Sequence, residues 1–200
     1  MKNRIDKKLF ELQNIGRAAL APFVTVGFPD IETSEKLIVN ISNSGGDIIE
    51  LGIPFSDPLA DGITIQKTNF RALQNGINLS KCLEMVTKLR KNCFNTPLIF
   101  MGYFNPFLNY GIEKFIEDGS IAGIDGIIIP DLPLEESGYL KAKLEKKDIY
   151  LINLLSPTSS ETRIQNVCKD AKGFIYCVSI AGVTGARSQL SENLPKLIKK

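Results

Sequence analysis

Ala19-Leu-Ala-Pro-Phe-Val-Thr-Val26 is an apolar run, and the turn after it, Gly27-Phe28-Pro29-Asp30, decides the architecture. A short apolar run without polar alternation reads as a strand buried on both faces, as in a parallel sheet. In a doubly wound open sheet the first such strand normally leads into a phosphate turn of the form G-x-G-x-x-G. Here one glycine is followed by Phe, Pro and Asp, so that turn is missing. The same apolar signature returns at Asp47–Ile53, Pro97–Tyr103, Gly126–Pro130, Tyr150–Leu155 and Gly173–Ser179. Between the runs the apolar residues take helical spacing: Ile112, Phe115 and Ile116; Leu140 and Leu144; Leu194, Leu197 and Ile198. Run and helix in steady alternation form a string of βα units. The reading is an α/β protein of the (β/α)8 TIM barrel class, with about six of the eight βα units in residues 1–200 and a single domain lacking the last two. Residues 3–14 read as an extra helix that covers one end of the barrel.

Composition removes several classes of chemistry. The chain has 200 residues, 24 Lys+Arg and 22 Asp+Glu, for a net charge of +2. That balance gives no electrostatic reason to expect nucleic acid or an anionic membrane. The chain contains no histidine. A Ser-His-Asp or Cys-His nucleophile and a histidine zinc site are therefore excluded, and acid/base work falls to carboxylates, Lys, Tyr or Cys. Cys82, Cys93, Cys168 and Cys177 form no C-x-x-C pair and read as free, mostly buried thiols in a reducing compartment. No stretch matches a signal peptide or a membrane span. Ile, Lys and Asn are abundant and Lys outnumbers Arg three to one, a bias of AT-rich coding DNA such as that of a plastid or an endosymbiont.

Four segments hold candidate residues. Glu50 lies inside the second apolar run, where burial raises a carboxyl pKa toward neutrality and suits it to proton transfer. A strand-end Glu held by a backbone amide or a Lys is an equal reading. The loop after it, Pro54-Phe-Ser-Asp57-Pro58-Leu-Ala-Asp61-Gly62, falls on the face where barrel active sites are built. By folding back it would bring Asp61 opposite Glu50. Taken singly, Asp57 and Asp61 read as turn and cap residues. Asp131, between Pro130 and Pro133, has three readings: facing the site, facing a partner, or capping the next helix. Asn105-Pro106 is equally open. Tyr176 reads as core of the sixth strand, and Gly182-Val-Thr184-Gly185 beyond it as a lid or phosphate loop.

Taken in order, Phe23-Val-Thr-Val-Gly-Phe-Pro-Asp30, Glu50 through Gly62, Thr64-Ile-Gln66, Pro130 through Ser137 and Gly182 through Gly185 resemble the tryptophan synthase alpha subunit family over nearly the whole chain. The resemblance implies a lyase that cleaves indole-3-glycerol phosphate to indole and glyceraldehyde 3-phosphate. Glu50 matches the acid/base residue, and Asp61 the carboxylate that bonds the indole N–H. Phe23, at the end of the first strand, would line the indole pocket, with Tyr176 beside the substrate. Thr184 would bond Asp61 when the lid shuts, and the Gly185 amide would join the phosphate site. Asp57, Pro58 and Asn105 fall in segments that face the beta subunit of an alpha2-beta2 tetramer. Pyridoxal phosphate is expected in that partner, with no cofactor in this chain. The implied setting is plastid stroma or bacterial cytoplasm. An alternative is a non-catalytic truncated barrel that binds and regulates the beta subunit. Ile63 stands where the family usually has Pro, and Ile180 where many members have Arg. Family members also continue through two further units that supply most of the phosphate grip.

Overall fold

A computed structural model describes residues 3–92, 94–178 and 198. The elements alternate as expected: α1 (Arg4–Asn14), β1 (Phe23–Thr25), α2 (Ile31–Asn43), β2 (Ile49–Gly52), α3 (Ile63–Gln74), α4 (Leu79–Lys91), β3 (Leu98–Met101), α5 (Phe104–Tyr110), α6 (Ile112–Ala122), β4 (Gly126–Ile128), a 3-10 turn (Leu134–Glu136), α7 (Gly138–Glu145), β5 (Tyr150–Leu151), β6 (Leu154–Leu155), α8 (Glu161–Asp170) and β7 (Tyr176–Cys177).

All strand pairs are parallel, and β1 to β5 are neighbours in chain order. No reversal of order interrupts the sequence, so the switch point of a doubly wound sheet is absent from the described strands. The fifth apolar run is divided. Its lower half, β5, pairs with β4, and its upper half, β6, pairs with β7. Staggered pairing of this kind accompanies strand tilt in a closing barrel. The amide of Ile152 still reaches Ile127 O at 2.9 Å, and Tyr176 N reaches Asn153 O at 2.9 Å. The run is thus one barrel strand whose two ends use different neighbours.

Side chains sort into two layers. Ile5, Ile48, Ile99, Ile128, Tyr150 and Ile152 form an inner cluster, while the helices pack in an outer one with Leu51, Leu98, Phe100 and Ile127. A wall filled by its own side chains on one face and covered by helices on the other is barrel construction. Ile5 belongs to the inner cluster and is 0% exposed, so α1 closes the N-terminal end, as its sequence position suggests. Asn3 caps that helix and also donates to Asp125 O and Asp148 O, which fastens it to the roots of β4 and β5. Buried Asp125 accepts from Arg4, Arg90 and the Leu98 amide at 2.7–2.9 Å.

Gly27 explains the turn that replaces a phosphate loop. Its φ is +80°, and a Cβ there would lie 2.2 Å from Ile77. The glycine is required by backbone shape and packing, and its amide donates to Ser34 Oγ at 3.0 Å. The thiols differ from expectation. Cys82 is buried, but Cys168 on α8 and Cys177 on β7 are exposed; Cys93 lies outside the described residues.

Candidate active site

Parallel register places Phe23 directly beside Glu50, and Thr25 beside Gly52. Phe23 is the first residue of β1, not its end. Gly52 makes room for it. A Cβ at Gly52 would lie 2.4 Å from the Phe23 ring, so the ring lies over a position that tolerates no side chain. Gly52→Ala is expected to push the ring aside and destabilise the protein by roughly 1–3 kcal/mol, the usual cost of overpacking. Thermal unfolding of the variant measures it; an unchanged Tm would show that the ring moves freely.

Glu50 is 6% exposed in the middle of β2. Burial alone raises its pKa to about 7, because no hydrogen-bond donor or cation among the described residues offsets the loss of water. The alternative reading, a Glu held by an amide or Lys, is therefore not what the strand presents.

The loop after β2 folds back. Asp61 does not cap α3, whose N-cap is Gly62. Its carboxylate instead accepts from Asn69 Nδ2 at 3.3 Å and bonds the Tyr103 hydroxyl. Burial raises its pKa, and those two bonds partly oppose the rise. The Tyr103 oxygen also accepts from the Ala60 amide at 2.9 Å, so one phenol ties down two successive loop residues. Burial, and then the Asp61 carboxylate, push the Tyr103 pKa up to about 12, against the Ala60 amide, which lowers it. Phe23, Gly52, Asp61, Asn69 and Tyr103 border one cleft whose free volume is about 20 Å3, the space of a single water.

Tyr176, on β7, is half-buried. Its hydroxyl pKa is raised by burial, then by the charges of Glu50 and Asp61. Their influence sets the Tyr176 hydroxyl near both carboxylates, which come from a strand and a loop eleven residues apart. Glu50, Asp61 and Tyr176 are thus neighbours, and Phe23 lies beside Glu50 in the sheet. Thr184 and Gly185 lie outside the described residues.

Asp57 is exposed and takes a hydrogen bond from Ser56, and Pro58 is half-buried beside it. Asn105 is exposed on α5 and accepts from Asn109. These three sit on the rim after β2 and β3 and contribute nothing to the cleft. Asp131 does not cap the next helix: it is exposed and accepts from the amide of Phe104 at 2.9 Å, and so holds the start of α5, an earlier helix. Asn69 and Tyr103 are the site residues that sequence reasoning missed. Tyr103 ends the third apolar run, the strand terminus where barrel sites gather, and that position was its only signal. Asn69 had a weaker one, a polar residue inside the buried stripe of α3.

The profile of the family described as tryptophan synthase alpha chain matches residues 9–200. The tryptophan synthase alpha chain of Clostridium acetobutylicum is 47% identical over 198 residues, 99% of this chain and 74% of that protein. The one from Caldanaerobacter subterraneus is 46% identical over 98% of this chain and 74% of its own length. Among solved structures, the tryptophan synthase alpha chain of Legionella pneumophila superposes with a TM-score of 0.86 at 40% identity, covering 90% of this chain and 68% of that one. A Mycobacterium tuberculosis tryptophan synthase structure gives 0.91 at 33% identity, covering 100% and 76%.

Proposed function

This chain belongs to the tryptophan synthase alpha chain family, and on that premise we propose that it is the lyase that releases indole from indole-3-glycerol phosphate, using Glu50 and Asp61. Membership makes it a lyase of tryptophan biosynthesis. The single observation that supports the finer reading is a desolvated carboxylate, Glu50, and a second one, Asp61, held in a different environment, both near Tyr176. Two carboxyl groups kept apart in this way divide proton transfer from charge stabilisation.

The step needs a proton at indole C3 and the loss of a proton from the hydroxyl on the carbon attached to C3. Glu50, protonated near neutrality, supplies the first. Protonation at C3 leaves positive charge on the ring nitrogen, opposite the Asp61 carboxylate. Once ionised, Glu50 accepts the hydroxyl proton. The oxygen electrons form the aldehyde, the C–C bond breaks, and its pair restores the aromatic ring. Indole and glyceraldehyde 3-phosphate leave, and Glu50 is again protonated. Phe23 and Tyr176 border the ring. From the family resemblance, Thr184 would close over Asp61 and the Gly185 amide would hold phosphate.

The rim supports docking of a tryptophan synthase beta chain in an alpha2-beta2 tetramer. Asp57, Pro58 and Asn105 are there with Leu59, 88% exposed, and Leu108. Pyridoxal phosphate is assigned to that partner. The bacterial relatives support a bacterial cytoplasm; nothing supports a plastid. Residues 1–200 are read as part of one barrel domain. Mixing the protein with indole-3-glycerol phosphate and a beta chain, and measuring indole and glyceraldehyde 3-phosphate, tests the reading. Equal amounts of both products are expected. Beta-chain activation without either product would replace the lyase by the non-catalytic docking module.

A further inference from the structure

On the outer side of the sheet a cavity of about 220 Å3 lies between the upper ends of β4 to β6 and helices α7 and α8. The loop Pro130–Leu134 roofs it, and Leu134, Leu151 and Val167 add apolar patches to a lining that also holds Asp131, Ser137, Asn153 and Arg163. One group in this setting is out of keeping. Asn153 is 7% exposed and borders the cavity, and its Nδ2 has no hydrogen-bond partner. It is the one buried side-chain nitrogen or oxygen in that condition among the described residues. Buried donors are normally paired, so an unpaired one beside a void calls for an acceptor that the described residues do not supply.

The rest of the lining narrows what that acceptor belongs to. Arg163 stands at the mouth, but it is already 3.4 Å from both oxygens of Glu135, and Asp131 is in the same rim. That balance disfavours an anion. A bare cation is disfavoured by the unpaired group itself, since an N–H donor needs an acceptor and cannot ligate a positive ion. A neutral molecule with one carbonyl and an apolar body meets both conditions.

We propose that this cavity binds a small uncharged amide- or carbonyl-bearing molecule, whose oxygen accepts from Asn153 and whose body lies against Leu134, Leu151 and Val167. The site is separate from the cleft of Glu50 and Asp61, and the inference goes beyond the lyase reading. The two places nevertheless share a wall. Pro130 borders both. Asp131, in the roof, holds the Phe104 amide, next in the chain to the Tyr103 that ties down the Asp61 loop. A ligand under that roof therefore touches the segment that fixes Asp61.

Benzamide is a suitable probe, titrated into the whole protein and followed by 1H–15N NMR and thermal unfolding. The expected result is a saturable shift of the Asn153 side-chain NH2 and of the Phe104 amide, with a Tm that climbs as the logarithm of benzamide concentration. Asn153→Leu removes the unpaired amide and fills part of the space, so its own Tm is expected to stay level or rise. In that variant the benzamide-dependent rise is expected to vanish. Equal rises in both proteins, or no saturable shift up to the solubility limit, overturns the proposal. So does a crystal structure at saturating benzamide that shows only water on Asn153. None of these readouts is catalytic, so failure here leaves the lyase reading where it stands.

Discussion

Glu50→Gln is expected to lower the turnover number for indole release by about 10²–10⁴-fold, the range contributed by a positioned acid or base. The amide keeps the shape of the side chain and removes only its proton traffic. The fold is expected to survive, and to lose a pH dependence. Glu50 sits at about 7 in the folded chain against an ordinary value of 4.5. A group whose pKa is raised by folding holds its proton more tightly in the native state. Its contribution to stability is complete below the unfolded value and is lost as pH climbs from about 4.5 through about 7. The difference of about 2.5 units corresponds to about 3 kcal/mol. The wild-type protein is therefore expected to become less stable relative to Glu50→Gln across that window. Denaturant unfolding at pH 4.5 and pH 8 measures this. Parallel pH curves for the two proteins would remove the shifted carboxyl, and near-normal turnover would remove Glu50 from the mechanism.

Asp61→Asn is expected to cost on the order of 10²–10³-fold in turnover, as when a preorganised electrostatic partner of the transition state is removed. The Asn oxygen still accepts a hydrogen bond from the indole N–H, so substrate binding is expected to change far less than turnover. What the variant lacks is the negative charge opposite the ring nitrogen, needed only while C3 carries the extra proton. The Asn69 and Tyr103 bonds that hold the carboxylate remain available to the amide, and Tm is expected to move little. Measuring kcat and KM separately decides the matter. A rise in KM with kcat unchanged would make Asp61 a binding residue only.

The strands were legible because parallel strands buried on both faces carry nearly continuous apolar runs. All six runs contain the strands of the structure. The division of Tyr150–Leu155 was not legible. Nothing in Tyr-Leu-Ile-Asn-Leu-Leu says that its lower half pairs with β4 and its upper half with β7, since that choice depends on strand tilt. Helix α1 was read as an extra helix before the first strand, and its place over the barrel end followed from that position.

Legibility of the site followed the same division. Glu50 stood out because a carboxylate inside an apolar run is locally anomalous. Asp61 did not, for Asp-Gly is a common turn pair, and only the return of the loop gives the side chain Tyr103 and Asn69 as partners. Asp131 looked equally promising between two prolines and turned out to hold the start of α5.

The sequence by itself determined the element order, the parallel barrel layout, the exclusion of histidine chemistry and the family resemblance, all of which reside in local pattern and composition. Only the tertiary structure decided that Phe23 lies over Gly52, that Asp61 turns inward while Asp57 stays on the rim, and that Asn153 is left unpaired beside a cavity. Each of these is a relation between residues distant in the chain. A side chain's burial and partners are set by which strands and helices meet around it, and those meetings are not written in its neighbours along the chain.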